Sequence, residues 1–397
     1  MKILFLHPNF PGQFKNIAAA AAKSGHDVYF LCQTHYGREL KSVKRLTLKG
    51  DLGNIHLDKM KISALKRNQL LAKQYRNGFL TLKKNNWIPD LVISHSGWGC
   101  GTYVKEIWPD TKLISYLEWW FNPKSTFFTY DISNKDLNIN QDSITKQWER
   151  NQTIALELAT SQAIVCPTKW QKQQLPKIYQ NHCDVIFDGI DTKKFNKNLR
   201  DDKKQRKVLT YGTRGMDPIR AFPQFIKALP NLLDNDRNLV VEIAGIDDTF
   251  YGTHNKSEKT SWGKWAKKYL DEKNLGAKVK WVGHLGAGKY EKWLANSSCH
   301  VYLTHPFIAS WSFVEALACG IPLIASNVEP VKEFCVNDSG IELVDHRCDN
   351  FLTEPVLRVL QQRCPIIYDR KIVLNLSVEK SLDAWSRVAG IELHTVD

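Results

Sequence analysis

Two arginines spaced six residues apart, Arg214 and Arg220, follow a predicted strand at 207–211 in a turn with two glycines. A planar guanidinium group forms paired hydrogen bonds with phosphate oxygens, so two converging arginines could bind one diphosphate. Gly212 and Gly215 would leave the turn flexible enough for this approach. Arginines on an exposed loop are the alternative interpretation.

A second candidate for phosphate binding begins at Ser310, after a predicted strand at 299–303. Amide groups at the start of the following helix, near Ser310, Trp311 and Ser312, favour a negatively charged ligand. Glu315 lies within the first two turns and could accept hydrogen bonds from the hydroxyls of a ribose. A helical acid that faces solvent is the alternative.

The first half of the chain contains the loop HPNFPGQF at 7–14. Gly12 would let the backbone approach a ligand, and a helix predicted from about 15 to 23 presents its N-terminus to an anion. The loop is not G-x-G-x-x-G, which argues against a nicotinamide cofactor. An ordinary turn between strand and helix is the alternative.

Polar side chains also follow the next two strands of this half. His95 lies just after a predicted strand at 90–94, where it could touch a substrate. Glu118 and Trp119 follow the strand predicted at 112–117, and a carboxylate beside aromatic rings is typical of sugar binding. A hydrogen-bonded loop histidine and the edge of an apolar core are the respective alternatives.

Short apolar runs alternate with helix-length segments along the chain, which predicts parallel sheets covered by helices on both faces. Predicted strands span 2–7, 27–32, 54–60, 90–94, 112–117, 163–167 and 184–187, and then 207–211, 239–244, 278–282, 299–303, 322–325 and 340–344. We therefore predict an α/β fold of two doubly wound domains with a boundary near Gly189. A final amphipathic helix is predicted at 377–389, with Leu382, Trp385 and Val388 on one side. Ligands of such sheets bind beyond the carboxyl ends of the strands, where the candidate residues lie.

The composition excludes several classes of protein. The chain has 397 residues, of which 43% are hydrophobic and 24% charged, so it is globular and long enough for two domains. No apolar run approaches the roughly 18 residues of a membrane span, and no signal-peptide core is present. The nine cysteines occur singly, without C-x-x-C pairs, which indicates reduced thiols and no zinc site.

Positive charge is concentrated in one part of the first domain. The net charge is +14, and most of it lies between Lys41 and Lys84. A helix capped by Ser63 would carry four apolar residues on one face and basic residues on the remaining arc. The four are Leu71, Tyr75, Phe79 and Leu82. This segment predicts adhesion to an anionic membrane, with an apolar face that packs on the domain's own sheet as the alternative. It matches no nucleic-acid recognition motif, so no nucleic-acid partner is expected.

Three separated segments together resemble bacterial glycosyltransferase family 4. They are HPNFPGQF at 7–14, TRGMDPIR at 213–220 and SWSFVEALACG at 310–320. The resemblance covers nearly the whole chain and implies the GT-B fold, in which two Rossmann-like domains face each other across a cleft. It implies an acceptor-binding domain at 1–188, completed by a C-terminal helix within 375–397, and a nucleotide-sugar-binding domain at 189–374.

The resemblance also implies a role for each candidate residue. Gly12 would lie near the donor phosphates, His95 near the transferred sugar and Glu315 on the ribose, while Arg214 and Arg220 would bind the diphosphate. The catalytic residues would be His95 and the two arginines. The donor would also contact Ser310, Trp311 and Ser312, and the acceptor would contact Glu118 and Trp119.

The sequence departs from the family pattern at two positions. The diphosphate pair is usually Arg and Lys, whereas here both are Arg, so a forked donor replaces a compact one. The E-x7-E motif has Phe307 in place of its first acid. Whatever that acid does to the hydroxyls of the donor sugar must here be done by backbone amides around Ile308 to Ser310, by another residue, or not at all.

The implied function is that of a retaining hexosyltransferase. It would move a sugar from a UDP- or GDP-linked donor to a hydroxyl of a glycan or glycolipid precursor of the bacterial envelope. No metal or other cofactor is expected, because the arginines would supply the positive charge. We expect a cytoplasmic protein with peripheral attachment to the inner face of the cytoplasmic membrane. The alternative is a nucleotide-sugar epimerase or phosphorylase, which would act without an acceptor alcohol.

Overall fold

The computed structural model describes residues 1–48, 61–200, 207–250, 255, 259–335, 340–361 and 370–394. The chain divides into two compact units. Unit 1 consists of Met1–Ser125, Asn140–Gly189 and Leu376–Asp397, and unit 2 of Thr126–Ile139 and Ile190–Asn375. Residues 126–139 therefore group with unit 2, whereas the sequence pattern assigns them to the first domain.

Unit 1 is built on a parallel sheet of seven strands in the order β3-β2-β1-β4-β5-β6-β7. The strands are β1 (Lys2–Leu6), β2 (Asp27–Cys32), β3 (Val43–Thr47), β4 (Leu91–His95), β5 (Lys112–Tyr116), β6 (Ala163–Cys166) and β7 (Cys183–Val185). The strand predicted at 54–60 lies outside the described residues. The edge strand β3 was not predicted, because its sequence VKRLT contains two basic residues. Edge strands tolerate such charges.

Unit 2 is built on a parallel sheet of six strands in the order β10-β9-β8-β11-β12-β13. The strands are β8 (Val208–Gly215), β9 (Val240–Ile246), β10 (Val279–Gly283), β11 (Cys299–Tyr302), β12 (Leu323–Ser326) and β13 (Ile341–Val344). In each sheet the first strand of the unit lies inside, between the second and the fourth. The predicted α/β architecture of two doubly wound, Rossmann-like units is confirmed.

Helices connect the strands of both units. The described helices are α1 (Lys15–Lys23), α2 (Ala64–Lys84), α3 (Val104–Ile107), α4 (Thr126–Thr129), α5 (Gln141–Glu149), α6 (Asn151–Thr160), α7 (Lys169–Gln174), α8 (Lys177–Gln180), α9 (Phe222–Asn235), α10 (Trp262–Glu272), α11 (Lys289–Ala295), α12 (Trp311–Ala318), α13 (Glu329–Lys332), α14 (Thr353–Gln361), α15 (Arg370–Asn375) and α16 (Val378–Ala389). Short 3-10 turns lie at 12–14, 96–98, 135–137, 197–199, 218–220 and 276–278. Within the described ranges, every helix is too short or too polar to cross a bilayer.

One face of the unit 1 sheet is covered by α1 and α16. The side chain of Ser377 caps α16 by accepting a hydrogen bond from the amide of Lys380. Leu382 and Trp385 are buried against the sheet, and the ring of Trp385 stacks on that of Tyr116 with centroids 6.4 Å apart. The last helix therefore completes the core of unit 1.

The other face of this sheet is covered by α2, the helix predicted from the basic segment. The side chain of Ser63 caps it by accepting a hydrogen bond from the amide of Lys66. Its apolar residues are buried in a cluster with sheet residues such as Leu31 and Val92; they are Leu71, Tyr75, Phe79 and Leu82. The apolar face of α2 therefore packs on the sheet, which was the alternative interpretation, and its exposed surface carries Lys66, Lys73 and Lys84.

The strand orders define where a ligand is expected in each unit. Successive strands are added first on one side of β1 and then, from β4 onwards, on the other side; unit 2 shows the same change between β8 and β11. Such topological switch points are the usual binding positions of open α/β sheets, at the carboxyl ends of the strands. His95 is the last residue of β4, and Arg214 lies one residue before the end of β8.

Candidate functional site

Two histidines meet at the switch point of unit 1. His7 follows β1, and His95 ends β4. Their rings are perpendicular with centroids 5.0 Å apart, and the ring of Trp98 lies 5.0 Å from His7 and 4.4 Å from His95. Both histidines are buried. Burial and the neighbouring His95 lower the pKa of His7 well below its usual value, so its ring is neutral.

Backbone amides fix the orientation of both rings. In each case the amide two residues further along the chain donates to Nδ1, at 2.9 Å for His7 and 3.3 Å for His95. A ring that accepts a hydrogen bond at Nδ1 carries a proton on Nε2. Nε2 of His7 therefore donates to Oε1 of Gln13 (2.8 Å), and Nε2 of His95 donates to Oε2 of Glu118 (3.3 Å).

The carboxylate of Glu118 joins these hydrogen bonds into one network. Nε2 of Gln13 donates to its Oε1 at 2.7 Å, while His95 donates to its Oε2. The side chain of Glu118 is 21% exposed, against 2% for His95. A carboxylate that is held at both oxygens and still reaches solvent can accept a hydrogen bond from a substrate hydroxyl.

Gly12 lies against His7. Its φ is +51°, and a Cβ atom at this position would lie 2.6 Å from Nε2 of His7. Any side chain would therefore displace the imidazole from Gln13. His7 and Gln13 are absent from the predicted site residues, although both belong to the segment 7–14 that singled out Gly12.

The aromatic residues that follow Glu118 lie in the interior of unit 1. Trp119, Trp120 and Phe121 are buried, and the ring of Trp119 packs 5.3 Å from that of Trp170. Of the predicted acceptor residues, Trp119 packs inside the unit and Glu118 reaches solvent.

Arg220 is anchored against the end of β11 in unit 2. Its Nη1 donates to the hydroxyls of Tyr302 and Thr304, each at 2.9 Å, and to the carbonyl of Ile308 at 3.3 Å. The hydroxyl of Tyr211 donates to the carbonyl of Arg220 at 2.8 Å. Among the described residues, Nε and Nη2 of Arg220 have no hydrogen-bond partner. One nitrogen thus holds the guanidinium in place while the other donors can bind an anion.

Arg214 has a different environment. It is exposed, and its Cζ lies 4.0 Å from the ring centroid of Phe250, a cation–π contact. A Cβ atom on Gly215 would lie 2.6 Å from the same ring and from the carbonyl of Asp248, so glycine is required beside Arg214. In the described part of the chain, Arg214 and Arg220 share no hydrogen-bond or ring partner. The two predicted diphosphate ligands are therefore held independently.

Phe307, the residue that replaces the first acid of E-x7-E, packs on Arg220. Its ring centroid lies 5.8 Å from Cζ of Arg220 and 5.8 Å from the ring of Phe127. An acid at this position would offer the guanidinium a negative partner. The aromatic ring instead leaves the positive charge available to a ligand.

The start of α12 is joined to Arg220 through Tyr302. The amide of Ser310 donates to the hydroxyl of Tyr302 at 2.9 Å, and the hydroxyls of Ser310 and Ser312 are 2.6 Å apart. Trp311 is 42% exposed at the first helical position. The structure therefore brings together two segments that the sequence singled out separately, and Tyr302 is the link that the sequence did not reveal.

Glu315 lies one helical turn further along α12. Its Oε2 accepts a hydrogen bond from the hydroxyl of Tyr290 at 3.0 Å. Burial raises the pKa of Glu315 to about 7, and the nearby carboxylate of Glu291 contributes to the rise. In the described residues Oε1 has no hydrogen-bond donor, so it can accept one from a ligand hydroxyl.

Two more histidines of unit 2 lie close to this region but form no metal centre. The rings of His305 and His346 are buried, with centroids 4.9 Å apart. Burial lowers the pKa of His305 to about 4 and that of His346 to about 3, so both are neutral near pH 7. The described residues contain no group of three or more His, Cys, Asp or Glu side chains that could hold a metal ion.

Two family models match the chain in succession. The model for the glycosyl transferase family 4 group matches residues 24–195, and that for glycosyl transferases group 1 matches residues 191–363. The chain is a family 4 type glycosyltransferase. The first match of this glycosyltransferase covers His95 and Glu118, and the second covers Arg214, Arg220 and Glu315. No curated protein matches the glycosyltransferase in sequence.

Solved structures share its fold at low sequence identity. HepE of Anabaena, solved in complex with UDP, has a TM-score of 0.69 and 13% identity, covering 98% of this chain and 100% of its own. Sucrose-phosphate synthase from Thermosynechococcus elongatus has a TM-score of 0.73 and 14% identity, covering 98% of both chains. WaaG, a glycosyltransferase involved in lipopolysaccharide biosynthesis, has a TM-score of 0.60 and 14% identity, covering 98% of this chain and 94% of its own. These likenesses confirm the GT-B type of fold for the glycosyltransferase.

Proposed function

We propose that this glycosyltransferase transfers a hexose, with retention of anomeric configuration, from a UDP- or GDP-linked sugar to a hydroxyl of an envelope glycan or glycolipid precursor. The observation that carries the proposal is the set of contacts made by the guanidinium of Arg220. Its guanidinium is fixed by three hydrogen bonds from one nitrogen at the switch point of unit 2, and the described residues offer it no carboxylate partner. A fixed, unneutralised guanidinium is suited to a diphosphate.

The donor would bind along the carboxyl edge of the unit 2 sheet. Arg220 and Arg214 would bind the diphosphate, and the amides of Trp311 and Ser312 would contribute the start of α12. Oε1 of Glu315 would accept from a ribose hydroxyl while Tyr290 holds Oε2. HepE, which shares the fold, has been solved with UDP and with UDP-glucose, and this supports a nucleotide-sugar donor.

Transfer would require no protein nucleophile. The bond between the anomeric carbon and the β-phosphate oxygen breaks as the acceptor oxygen attacks from the same face. The acceptor proton passes to a β-phosphate oxygen, and the protonated nucleoside diphosphate leaves. Arg214 and Arg220 stabilise the charge that develops on the diphosphate, a contribution that a divalent cation makes in other enzymes. We therefore propose that the reaction needs no metal ion.

Unit 1 would supply the acceptor contacts. Glu118 would accept a hydrogen bond from an acceptor hydroxyl, because it is the more exposed partner of the pair with His95. His95 would lie near the transferred sugar, and its hydrogen bond would hold Glu118 in one orientation. Gly12 would keep this arrangement open by leaving room for His7.

A membrane-associated acceptor would be consistent with the surface of unit 1. Lys66, Lys73 and Lys84 are exposed on α2, whereas Arg76 is neutralised by Glu106. The helices α5 and α6 pack against α2 and expose two apolar side chains, Trp148 (49%) and Leu156 (51%). Exposed lysines and an exposed tryptophan on neighbouring helices suit the headgroup region of an anionic bilayer. WaaG, a structural neighbour, acts in lipopolysaccharide biosynthesis.

Binding of the donor tests the proposal. Thermal unfolding of the purified protein is measured with UDP-, GDP- and dTDP-linked hexoses. One class of nucleotide should raise the unfolding temperature, and Arg220→Ala should reduce the rise, because ligands stabilise the state they bind. Equal shifts for wild type and variant, or none with any donor, would contradict the assignment.

A further inference from the structure

Residues 126–139, which we call the arm, interrupt the sequence of unit 1 but pack in unit 2. The arm begins with α4, and its 3-10 turn at 135–137 packs against the turn at 218–220 that contains Arg220. The hydroxyl of Thr126 donates to Glu329 at 3.4 Å, and Nη1 of Arg347 donates to the carbonyl of Tyr130 at 2.9 Å. Several separate contacts therefore fix the arm beside the proposed donor site.

The arm reaches Arg220 through two aromatic rings. Phe127 is 8% exposed, and its ring lies 5.8 Å from that of Phe307. The ring of Phe307 lies 5.8 Å from Cζ of Arg220. Phe307 is followed by Ile308, whose carbonyl accepts from Nη1 of Arg220. A shift of Phe307 would therefore move both a ring and a hydrogen-bond acceptor away from the guanidinium.

Tyr130 holds the same loop from its other end. Its ring lies 5.6 Å from that of His305, and the amide of His305 donates to the carbonyl of Ile219 at 2.8 Å. Ile219 directly precedes Arg220, so the loop and the arginine's own turn are tied together. The arm thus covers both segments that determine where the guanidinium lies.

We infer that Phe127 is a positioning residue for Arg220. Its ring holds Phe307 against the guanidinium, and this sets the direction in which Nε and Nη2 of Arg220 are presented to the diphosphate. The inference rests on the proposed diphosphate role of Arg220. Phe127 acts through Arg220 and does not itself touch the donor. Its effect on diphosphate binding must therefore vanish when Arg220 is removed, whereas a general loss of packing would persist.

A double-mutant cycle tests this dependence. Calorimetric titration is carried out with whichever of UDP, GDP and dTDP binds the wild type most tightly. We expect Phe127→Ala to weaken binding about tenfold, within the range of coupling between residues in one network. Phe127→Leu should restore most of the affinity because it refills the space beside Phe307. The double variant Phe127→Ala with Arg220→Ala should bind no more weakly than Arg220→Ala alone.

Leu232→Ala provides the matched control. Leu232 is a fully buried residue of α9 in the core of the same unit, so its truncation lowers stability without touching the loop at Phe307. It should bind the nucleotide as the wild type does. Thermal unfolding of every variant establishes that each is folded at the temperature of the titration.

The outcomes separate this inference from the proposed function. Unchanged binding by Phe127→Ala, together with weakened binding by Arg220→Ala, would overturn the positioning role alone. The same would follow if the two single losses added fully in the double variant. Wild-type protein that binds none of the three nucleotides, or Arg220→Ala that binds like wild type, would overturn the diphosphate assignment and the inference with it.

Discussion

Nε2 of His95 lies 3.3 Å from Oε2 of Glu118, and an amide that donates to Nδ1 of His95 fixes the direction of this hydrogen bond. Both ring nitrogens of the histidine are therefore occupied. His95 is 2% exposed and Glu118 21% exposed, so the carboxylate is the group that we propose contacts a substrate. In the proposed reaction Glu118 is the reacting contact of unit 1, and the hydrogen bond from His95 helps to orient its carboxylate.

Glu118→Gln should lower kcat without weakening the binding of the donor nucleotide. His95 and Gln13 donate to different oxygens of Glu118, and an amide replaces one of these oxygens by an NH2 group that cannot accept. Hydrogen bonds to a charged group contribute about 1.5–3 kcal/mol, so kcat should fall about 10- to 100-fold. The Kd for the nucleoside diphosphate should stay unchanged, because Glu118 belongs to unit 1. Glu106→Gln, which alters an exposed carboxylate of the same unit, is the control. Normal turnover by Glu118→Gln would show that Glu118 takes no part in the reaction.

Arg214→Ala and Arg220→Ala should each lower kcat by at least about 100-fold, as does the loss of a preorganised donor to a developing negative charge. Both proteins should remain folded, because neither side chain lies in the core cluster of unit 2. Arg358→Ala, which removes a surface arginine paired with Glu342, controls for charge alone. Steady-state kinetics measures the effect, and near wild-type turnover in either variant would refute its role.

Glu315 should make nucleotide binding depend on pH. Burial raises the pKa of Glu315 to about 7. The ionised carboxylate is the better acceptor for ribose hydroxyls, so affinity should increase as pH rises through about 7 and fall as the carboxyl is protonated below it. Calorimetry between about pH 6 and about pH 8 should show this slope for the wild type. Glu315→Gln should bind more weakly at the upper end and lose the slope.

The same slope in the Glu315→Gln variant would assign the pH dependence to another group. Glu272→Gln, an exposed carboxylate on α10, serves as the control for a change of surface charge. It should reproduce the wild-type profile. A Glu315→Gln variant with undiminished affinity throughout would mean that Glu315 does not contact the nucleotide.

Removal of exposed lysines from α2 should weaken binding to anionic vesicles. Each basic residue near such a surface contributes about 1 kcal/mol, so changing Lys66, Lys73 and Lys84 to Gln should reduce partitioning into phosphatidylglycerol vesicles at least about tenfold. The control changes three exposed lysines of unit 2, Lys264, Lys268 and Lys273, to Gln. Co-sedimentation at low and high salt measures both. Equal binding by the two variants, or no binding by wild type, would contradict membrane docking through α2.

The sequence predicts the parts of this fold that depend on local pattern. The buried apolar run of β1 and the apolar stripe of α2 follow from composition and period alone. The sequence does not predict the edge strand β3, because its exposed and half-exposed residues Lys44 and Arg45 obscure the alternation of apolar and polar side chains. Membership of the arm in unit 2 involves contacts such as that between Phe127 and Phe307, which lie far apart in the chain.

The candidate site is predictable to a similar extent. Arg220 and Glu315 stand out because each follows a strand in a distinctive loop or helix. Tyr302 and Gln13 do not, since a strand tyrosine and a loop glutamine are common residues whose partners only the tertiary structure supplies. The roles of such linking residues depend on hydrogen bonds across the sheet edge, which local pattern does not encode.

The mechanism proposed for this enzyme is retaining transfer of a sugar whose leaving diphosphate is stabilised by arginines. Its most direct test is NMR of the product formed from the bound nucleotide-hexose and a hydroxyl acceptor, in buffer that contains EDTA. We expect the new glycosidic bond to have the same anomeric configuration as the donor, at a rate that EDTA does not change. A product of inverted configuration, or turnover that stops with EDTA and returns with added divalent cation, would contradict the account.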